Sequence, residues 1–271
     1  MKGLVRSTIS ILLLAGFSAE NHTPFPQVHN TSFGTGEIID YRINFGFLTV
    51  GHASTNVDKK IYTMNNKPCY KIDGYGSTSG LISWFRKVDN QYGAYVDTAT
   101  LVPLVSYRNI KEGDFRKNEV VNFDHENKRA EVKVKNKKTG LYDDIRYYPV
   151  KEGVRDIVTG FTYLRIIDLS KTKKGDTLAI AGFFEDASYV LKILYDGKEK
   201  ISSSVGKMIC HRLIPVVPDN QLFDGDNSIT IWLSDDQNQI PIRIRAKMFI
   251  GSTGLEMESF RGLRNQLKIV Q

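Results

Sequence analysis

Apolar and polar residues alternate with a period of two through most of the chain after residue 36. In the first such segment the apolar positions are Ile39, Tyr41, Ile43 and Phe45. Successive side chains of a strand point to opposite faces, so this pattern predicts a half-buried β-strand. The next apolar residues, Leu48 and Val50, occupy even rather than odd positions. One extra residue in a strand would cause this change, so the pattern predicts a bulge at Gly46-Phe47 inside one long, bent strand.

More β-rich segments follow at close spacing. They are residues 69–75, 87–96, 104–110, 115–123, 130–135, 141–148, 176–184, 189–195, 198–204, 207–215, 228–233, 242–249 and 254–260. Asp196-Gly197 predicts a tight hairpin, because both central residues of such a turn need positive φ. Asp235–Asn238 predicts a second turn, and Gly76–Gly80 is interpreted as a polar loop.

One amphipathic helix is predicted over Asp156–Asp168. Ile157, Phe161 and Leu164 fall at i, i+4 and i+7, which places them on one face. We expect this face to pack on a sheet, with Phe161 as a buried anchor. A shorter helical turn is expected at Ser79–Phe85. The fold class is therefore all-β and mainly antiparallel, with curved sheets forming a sandwich or an open barrel around one central helix.

The N-terminus has the three-part layout of a secretory signal peptide. Lys2 and Arg6 precede the apolar run of residues 11–15, which small residues follow, so cleavage is expected near residue 19. Phe17 stands where a lipidated cysteine would be required. The chain then divides into a signal peptide (1–19), an extended lead-in (20–35) and one β-rich domain (36–271), with two halves that could join near 150–170. We expect an exported protein of a bacterial periplasm or envelope, without a lipid anchor.

The formal charge of +7 is spread along the chain rather than concentrated beside exposed aromatic residues. A nucleic-acid partner is therefore not expected. A peripheral contact with an anionic membrane surface remains open. Cys69 and Cys210 are the two cysteines. They could form a disulfide in an oxidising compartment or could be two buried free thiols, and the sequence favours neither.

No nucleophile–base set, metal-ligand spacing or cofactor motif stands out, so no catalytic residue, metal or cofactor is predicted. His52, His125 and His211 are isolated and are interpreted as surface or hydrogen-bonded histidines. Acidic residues lie at expected strand ends, where paired carboxylates could hydrolyse a glycoside. The interpretation as turn residues is favoured, because aspartate side chains bond their own backbone. Trp232 lies in an apolar strand, which favours a core anchor over the alternative position in the wall of a ligand groove.

Several of these local features together resemble an exported bacterial family known as domain of unknown function 3108. The matching residues are Tyr41–Gly51, Asp97–Pro103, Glu112-Gly113, Asp156–Arg165, Gly206 with Cys210, Ile231–Asp236 and Ile240-Pro241. The resemblance implies an envelope protein of long antiparallel strands, and it carries no assigned activity and no catalytic residue.

Two classes of function follow. The first is a non-enzymatic binding or assembly module for an apolar or polymeric envelope ligand, such as a lipid, a polysaccharide or an envelope protein partner. A short helix cannot cover a sheet of many long strands, so some concave apolar surface should remain. The second is a hydrolase of envelope polysaccharide that uses paired carboxylates. The predicted ligand-binding residues are Trp232, Asp235, Asp236, Glu112 and Arg165.

Overall fold

The computed structural model describes residues 25–80, 82–216, 228–249 and 251–270. The predicted signal peptide and the first residues of the lead-in lie outside these ranges. The described residues form fourteen strands and two helices. In chain order they are β1 (Ile38–Phe45), β2 (Leu48–Met64), β3 (Lys67–Thr78), α1 (Ile82–Phe85), β4 (Asp89–Asp97), β5 (Pro103–Glu112), β6 (Phe115–Asp124), β7 (Arg129–Val134), β8 (Arg146–Pro149), α2 (Ile157–Leu164), β9 (Thr177–Phe184), β10 (Ala187–Ser203), β11 (Gly206–Val216), β12 (Ile229–Ser234), β13 (Pro241–Met248) and β14 (Gly251–Arg261).

All fourteen strands belong to one antiparallel sheet in the order β8-β7-β6-β5-β4-β3-β2-β1-β14-β13-β12-β11-β10-β9. The predicted all-β, antiparallel class is confirmed. The sheet is a meander in two runs that meet where β1 pairs with β14. This pairing places the first and last strands at the centre of the sheet, and the middle of the chain supplies both edges.

The two edges of the sheet approach each other without forming a strand ladder. The rings of Tyr148 and Phe183 lie 5.9 Å apart, and Arg146 bonds Asp186 at 2.8 Å. A single parallel bridge joins Arg155 to Gly182 of β9. The sheet is therefore strongly curled but not closed, which gives it a concave face.

The first predicted strand is two strands. Phe45 pairs with Leu48, and Gly46-Phe47 forms the two-residue turn between β1 and β2. Gly46 has φ +59°, a conformation that glycine adopts at no steric cost. The prediction of a bulge at this point is therefore wrong. The sequence pattern does not distinguish the two structures, because a two-residue hairpin moves the later apolar residues from odd to even positions just as a bulge does.

The converse error occurs at Asp196-Gly197. These residues lie inside β10, where the register with β11 shifts between Tyr195 and Lys198, so they form a bulge rather than a hairpin. Gly197 has φ +87°, the left-handed conformation that both structures require. The turn predicted at Asp235–Asn238 is confirmed, since it connects β12 to β13. Gly76, assigned above to a polar loop, is part of β3.

The apolar core divides into clusters on the sheet. One cluster packs the helix segment onto the second run of strands, with Leu164 and Leu169 against Ile193, Leu213 and Leu233. Another buries Phe33 of the lead-in against β2, β3 and β4. A third contains Trp232, and a fourth fills the space between β6, β7 and β9. These clusters leave the middle of the concave face uncovered.

Candidate functional site

A cavity of about 430 Å³ lies on the concave face between the central strands and α2. We name it the central groove. Its described lining comes from the lead-in, β1–β4, β13, β14 and α2. Ligand-binding pockets usually measure about 300–1,000 Å³ and have mainly apolar walls. The groove has both properties.

The walls are built from aliphatic side chains of the strands. They include Ile39, Ile43, Val50, Val57, Ile72, Ile244 and Leu255. Ile39 and Ile43 are the inward positions of the alternating pattern of β1, and Leu255 pairs with Ile43 across the ladder. The period-two pattern that forms these strands thus also makes one side of the groove apolar.

Helix α2 forms the opposite wall. Ile157, Val158 and Phe161 line the groove, and Phe161 is 39% exposed. The prediction that Phe161 is a buried anchor is wrong. Of the predicted stripe only Leu164 is buried in the core, because α2 spans eight residues and lies beside the groove rather than flat on the sheet. An apolar stripe on a helix therefore faces a cavity here.

Two glycines of β3 keep the groove open. Gly74 and Gly76 share a strand face with Ile72, and all three line the groove. A Cβ added at Gly76 would meet no atom within 4 Å, and one at Gly74 would meet only the Tyr92 carbonyl oxygen at 3.9 Å. The space that side chains would fill in an ordinary strand is thus part of the cavity.

The floor of the groove contains a buried ion pair. Arg165 donates to both carboxylate oxygens of Glu37, with Nη2 3.0 Å from Oε2. Its Nε donates to the Asn238 carbonyl oxygen at 3.0 Å, and Nη2 also donates to that of Ser32 at 3.2 Å. Burial raises the pKa of Tyr41, which lies beside this pair. Each of the three Arg165 guanidinium nitrogens thus has a hydrogen-bond partner within the protein.

The start of α2 is fixed by a capping box. Asp156 accepts a hydrogen bond from the Thr159 amide at 2.7 Å, and the Thr159 hydroxyl accepts one from the Asp156 amide at 3.0 Å. Burial raises the pKa of Asp156 to about 6. Arg155 stacks 3.8 Å over the Tyr163 ring and donates to the Leu101 carbonyl oxygen, and burial lowers its pKa to about 10. These contacts hold the groove-lining helix in place.

The five predicted ligand-binding residues do not converge. Only Arg165 lines the groove. Trp232 is buried in a core cluster on the side of β12 opposite Ile231 and Leu233, and its Nε1 donates to Glu199 at 2.9 Å. Glu112 accepts hydrogen bonds from Asn90 at 2.8 Å and Arg86 at 3.5 Å.

Asp235 and Asp236 are adjacent in the β12–β13 turn but have different partners. Asp236 accepts hydrogen bonds from the Ser234 hydroxyl and the Asn238 amide, as a turn residue does. Asp235 accepts one from Lys198 at 2.7 Å and lies 3.0 Å from His211 Nε2. Burial lowers the pKa of His211.

The remaining sequence candidates are dispersed. His125 lies 2.7 Å from the Pro103 carbonyl oxygen, and His52 is exposed near Glu258. Cys69 and Cys210 are buried free cysteines on β3 and β11. Across the described residues, no group of three His, Cys, Asp or Glu side chains is placed to hold a metal ion.

The residues that form the groove were not identified from the sequence as a site. They come from seven strands and helices and are ordinary core types, so no local motif marks them. Two signals were available. Glycines at alternate positions of β3 indicate that side chains are missing on one face of the strand. The second signal is the apolar stripe on α2, which has more apolar residues than the short helix can bury against the sheet.

The fold and groove define a curled, single-sheet β-protein with a central apolar groove. The family model described as "Protein of unknown function (DUF3108)" matches residues 40–258, and the chain belongs to this family. The family inferred from the sequence is therefore confirmed. No curated protein matches the chain.

Two solved structures are similar to the chain. The crystal structure of a "Beta-barrel-like Protein of Domain of Unknown Function DUF1849" from Brucella abortus aligns with a TM-score of 0.54 at 9% identity, covering 85% of this chain and 99% of that one. A "putative lipoprotein" from Parabacteroides distasonis aligns with a TM-score of 0.35 at 13% identity, covering 88% and 97%. The first similarity supports the fold alone. In the part of the chain described here, no helix is long and apolar enough to cross a bilayer.

Proposed function

We propose that this protein is an exported envelope protein that binds an apolar or amphipathic ligand in the central groove without chemically changing it. The observation that carries the proposal is the groove itself, about 430 Å³ with aliphatic walls and a single ion pair at its floor. Apolar surface left open to water is costly, and an apolar ligand would remove it from water.

The chemistry of the lining supports binding rather than hydrolysis. Among the described lining residues Glu37 is the only carboxylate, and Arg165 already neutralises it. A glycosidase needs two carboxyl groups facing each other about 5–9.5 Å apart across the substrate. Glu112, Asp235 and Asp236, the acids named from the sequence, do not line the groove, so no observation on this site favours the polysaccharide hydrolase.

The dimensions of the groove favour a single long hydrocarbon chain. Lining residues on β3 extend from Ile72 to Thr78, which is about 20 Å at ~3.4 Å per residue. One leaflet of a bilayer core is about 15 Å thick, half of the ~30 Å total. A lipid acyl chain therefore has the length and the chemistry for this space.

Residues at one end suit the polar part of such a ligand. Ser77, Thr78 and Asn90 line the groove where β3 ends and β4 begins. The opposite end, at Phe33 and Val57, is enclosed by the apolar cluster beneath the lead-in, and the mutually neutralised Arg165–Glu37 pair lies beside it. The expected orientation therefore has the acyl chain inward and the head group near Thr78.

The proposed location rests on the N-terminal leader of the sequence, with basic residues, a short apolar run and small residues. An acyl-chain carrier outside the cytoplasm would meet its ligands at the envelope membranes. Intact-mass measurement of the exported protein tests this part. Cleavage near residue 19 without acyl mass supports it, and a retained leader or added acyl mass contradicts it.

A fluorescent probe tests the groove directly. N-phenyl-1-naphthylamine brightens in apolar sites, and long-chain fatty acids should displace it. Gly76→Leu places a side chain in the open space of the groove, so probe affinity should fall at least tenfold. Gly160→Leu is the matched control, because a Cβ at this α2 position also meets nothing within 4 Å and Gly160 does not line the groove.

Equal probe affinity in the two leucine variants would overturn the proposal. So would a fully folded wild-type protein that binds neither the probe nor any fatty acid. Thermal unfolding of both variants shows whether they fold, and a folded Gly76→Leu protein with wild-type affinity would place the probe elsewhere.

A further inference from the structure

Large apolar side chains are exposed together at one end of the strands. Phe47 is 95% exposed, Trp84 86% and Phe85 82%, and Leu48 and Phe249 are exposed beside them. We name these five residues the apolar rim. Single exposed apolar residues are common on proteins, but a contiguous group of aromatic ones indicates an interaction surface.

The sheet topology brings the rim residues together. The β1–β2 turn, α1 and the β13–β14 turn all lie at the same end, because β13, β1 and β3 run in the same direction. The Gly46 amide donates to the Ser252 carbonyl oxygen at 2.8 Å, which fixes two of these turns side by side. From β13 to β4 there are five strand spacings, or about 24 Å at ~4.8 Å each.

The apolar rim borders the mouth of the central groove. Ile43 and Val50 line the groove, and two residues further along the same strand faces are Phe45 and Leu48. On the other side, Val88 lines the groove three residues after Phe85. A surface that covers the rim therefore also meets the opening of the groove.

The charge of the segments around the rim indicates the partner. Residues 45–49, 79–89, 110–117 and 246–252 carry six Lys or Arg and three Asp or Glu, a formal net charge of 6 − 3 = +3. The cations are Arg86, Lys87, Lys111, Arg116, Lys117 and Lys247. Arg86 and Lys111 are paired with Glu112 and Asp89, and Lys117 is paired with Glu119 and Glu185. Among the described residues, the cations of these segments without an acidic partner are Lys87, Arg116 and Lys247. Aromatic residues flanked by cations suit the interface of a bilayer with anionic lipids. A second copy of this chain would bring the same positive charge against the rim.

We infer that the apolar rim docks onto an anionic membrane, with Phe47, Trp84 and Phe85 entering the interfacial region. This docking places the groove mouth at the lipid surface, and in that respect it rests on the proposed function. An acyl chain could then pass between membrane and groove without crossing open water. The membrane contact itself requires only the rim and its cations.

Flotation of the full-length mature protein with vesicles tests the inference. We expect binding to vesicles of phosphatidylcholine with 30% phosphatidylglycerol and at least fivefold weaker binding to phosphatidylcholine alone. High salt should weaken the binding, because it screens the cations. The Trp84 emission should shift to shorter wavelength, with Trp84→Phe as the blank, since Trp232 is already buried and bonded to Glu199.

Paired variants separate the rim from general stickiness. Phe47→Asp should lower binding to anionic vesicles at least tenfold. Ile61→Asp should leave it unchanged, because Ile61 is also exposed but lies towards the opposite end of β2. Lys87→Glu with Lys247→Glu should reduce binding, and Lys171→Glu with Lys173→Glu before β9 should not.

The outcomes distinguish this inference from the proposed function. Gly76→Leu protein that floats normally but binds no probe supports both. Wild-type protein that floats yet binds no probe refutes the groove ligand and leaves the docking intact. Protein that binds the probe but does not float refutes the docking, as does equal flotation of Phe47→Asp and Ile61→Asp. Concentration-dependent dimers lost in Phe47→Asp, without flotation of the wild type, would make the rim a self-interface and overturn the inference.

Discussion

Arg165, just after α2, holds both carboxylate oxygens of Glu37, just before β1, at the floor of the central groove. The same guanidinium bonds the carbonyl oxygens of Ser32 and Asn238. One side chain thus connects the lead-in, the helix segment and the β12–β13 turn. The pair is deeply buried, so each charge depends on the other for compensation.

We expect Glu37→Gln to destabilise the protein by about 3–5 kcal/mol, because it leaves the Arg165 cation buried without a counter-ion. The double variant Glu37→Gln with Arg165→Met should recover part of this loss, since it removes both charges. Urea unfolding of the two single variants and the double variant measures the coupling. Strictly additive losses would show that the two side chains act independently.

Phe161→Ala should cost about 1–2 kcal/mol, less than the ~3–5 kcal/mol typical of a fully buried aromatic, because the ring is 39% exposed and faces the groove. Its main effect should be on ligand affinity, with several-fold weaker binding of the naphthylamine probe. Phe260→Ala is the control, since Phe260 is 38% exposed and does not line the groove. A similar loss of probe affinity in both variants would contradict the assigned role of Phe161.

Cys69 and Cys210 should both be unreactive towards a thiol reagent such as dithionitrobenzoate in the folded protein and fully reactive in urea. Both thiols are buried, and burial raises the pKa to about 11 for Cys69 and to about 12 for Cys210. Little thiolate, the reactive form, is then present at neutral pH. Mass spectrometry of the alkylated, unfolded protein should find two free thiols, and a disulfide-linked species would contradict the structure.

Alternation of apolar residues was enough to predict the all-β class and most of the strands, because a strand with one buried face must repeat every two residues. It missed most of β2, which was expected only as far as Val50, and it placed a strand at 141–148 where β8 begins at Arg146. It could not distinguish a hairpin from a bulge. A glycine with positive φ is present at both Gly46-Phe47 and Asp196-Gly197, but the first pair forms a hairpin turn and the second forms a bulge within a strand. Only the pairing of distant strands decides between them.

The site was less accessible from the sequence. Tryptophan and turn acids attract attention as ligand-binding types, yet Trp232 packs in the core and Asp236 organises its own turn. The groove instead depends on the absence of side chains at Gly74 and Gly76 and on the position of α2, which ends at Leu164. Such a cavity is a property of how separate elements assemble, and no short motif encodes it.

The stability of the protein should carry a pH dependence that originates at Asp156. Burial raises the pKa of this N-cap carboxyl from 3.8 to about 6 in the folded state. Below about pH 4 the carboxyl is protonated in both states and its full contribution to stability is present, whereas between about pH 4 and 6 the folded protein retains a proton that the unfolded chain releases. The contribution is lost as the pH rises through about 6, and it amounts to at most about 3 kcal/mol at ~1.36 kcal/mol per pKa unit.

Asp156→Asn should remove this dependence while keeping the cap, because asparagine is an equally good N-cap acceptor. Relative to this variant, wild-type stability in urea should fall between pH 4 and pH 7. Asp168→Asn should give the opposite trend, since hydrogen bonds from Ser170 lower the pKa of Asp168 and its contribution is lost as the pH falls. Parallel profiles for wild type and Asp156→Asn would mean that the Asp156 carboxyl titrates normally and that the start of α2 is open to water.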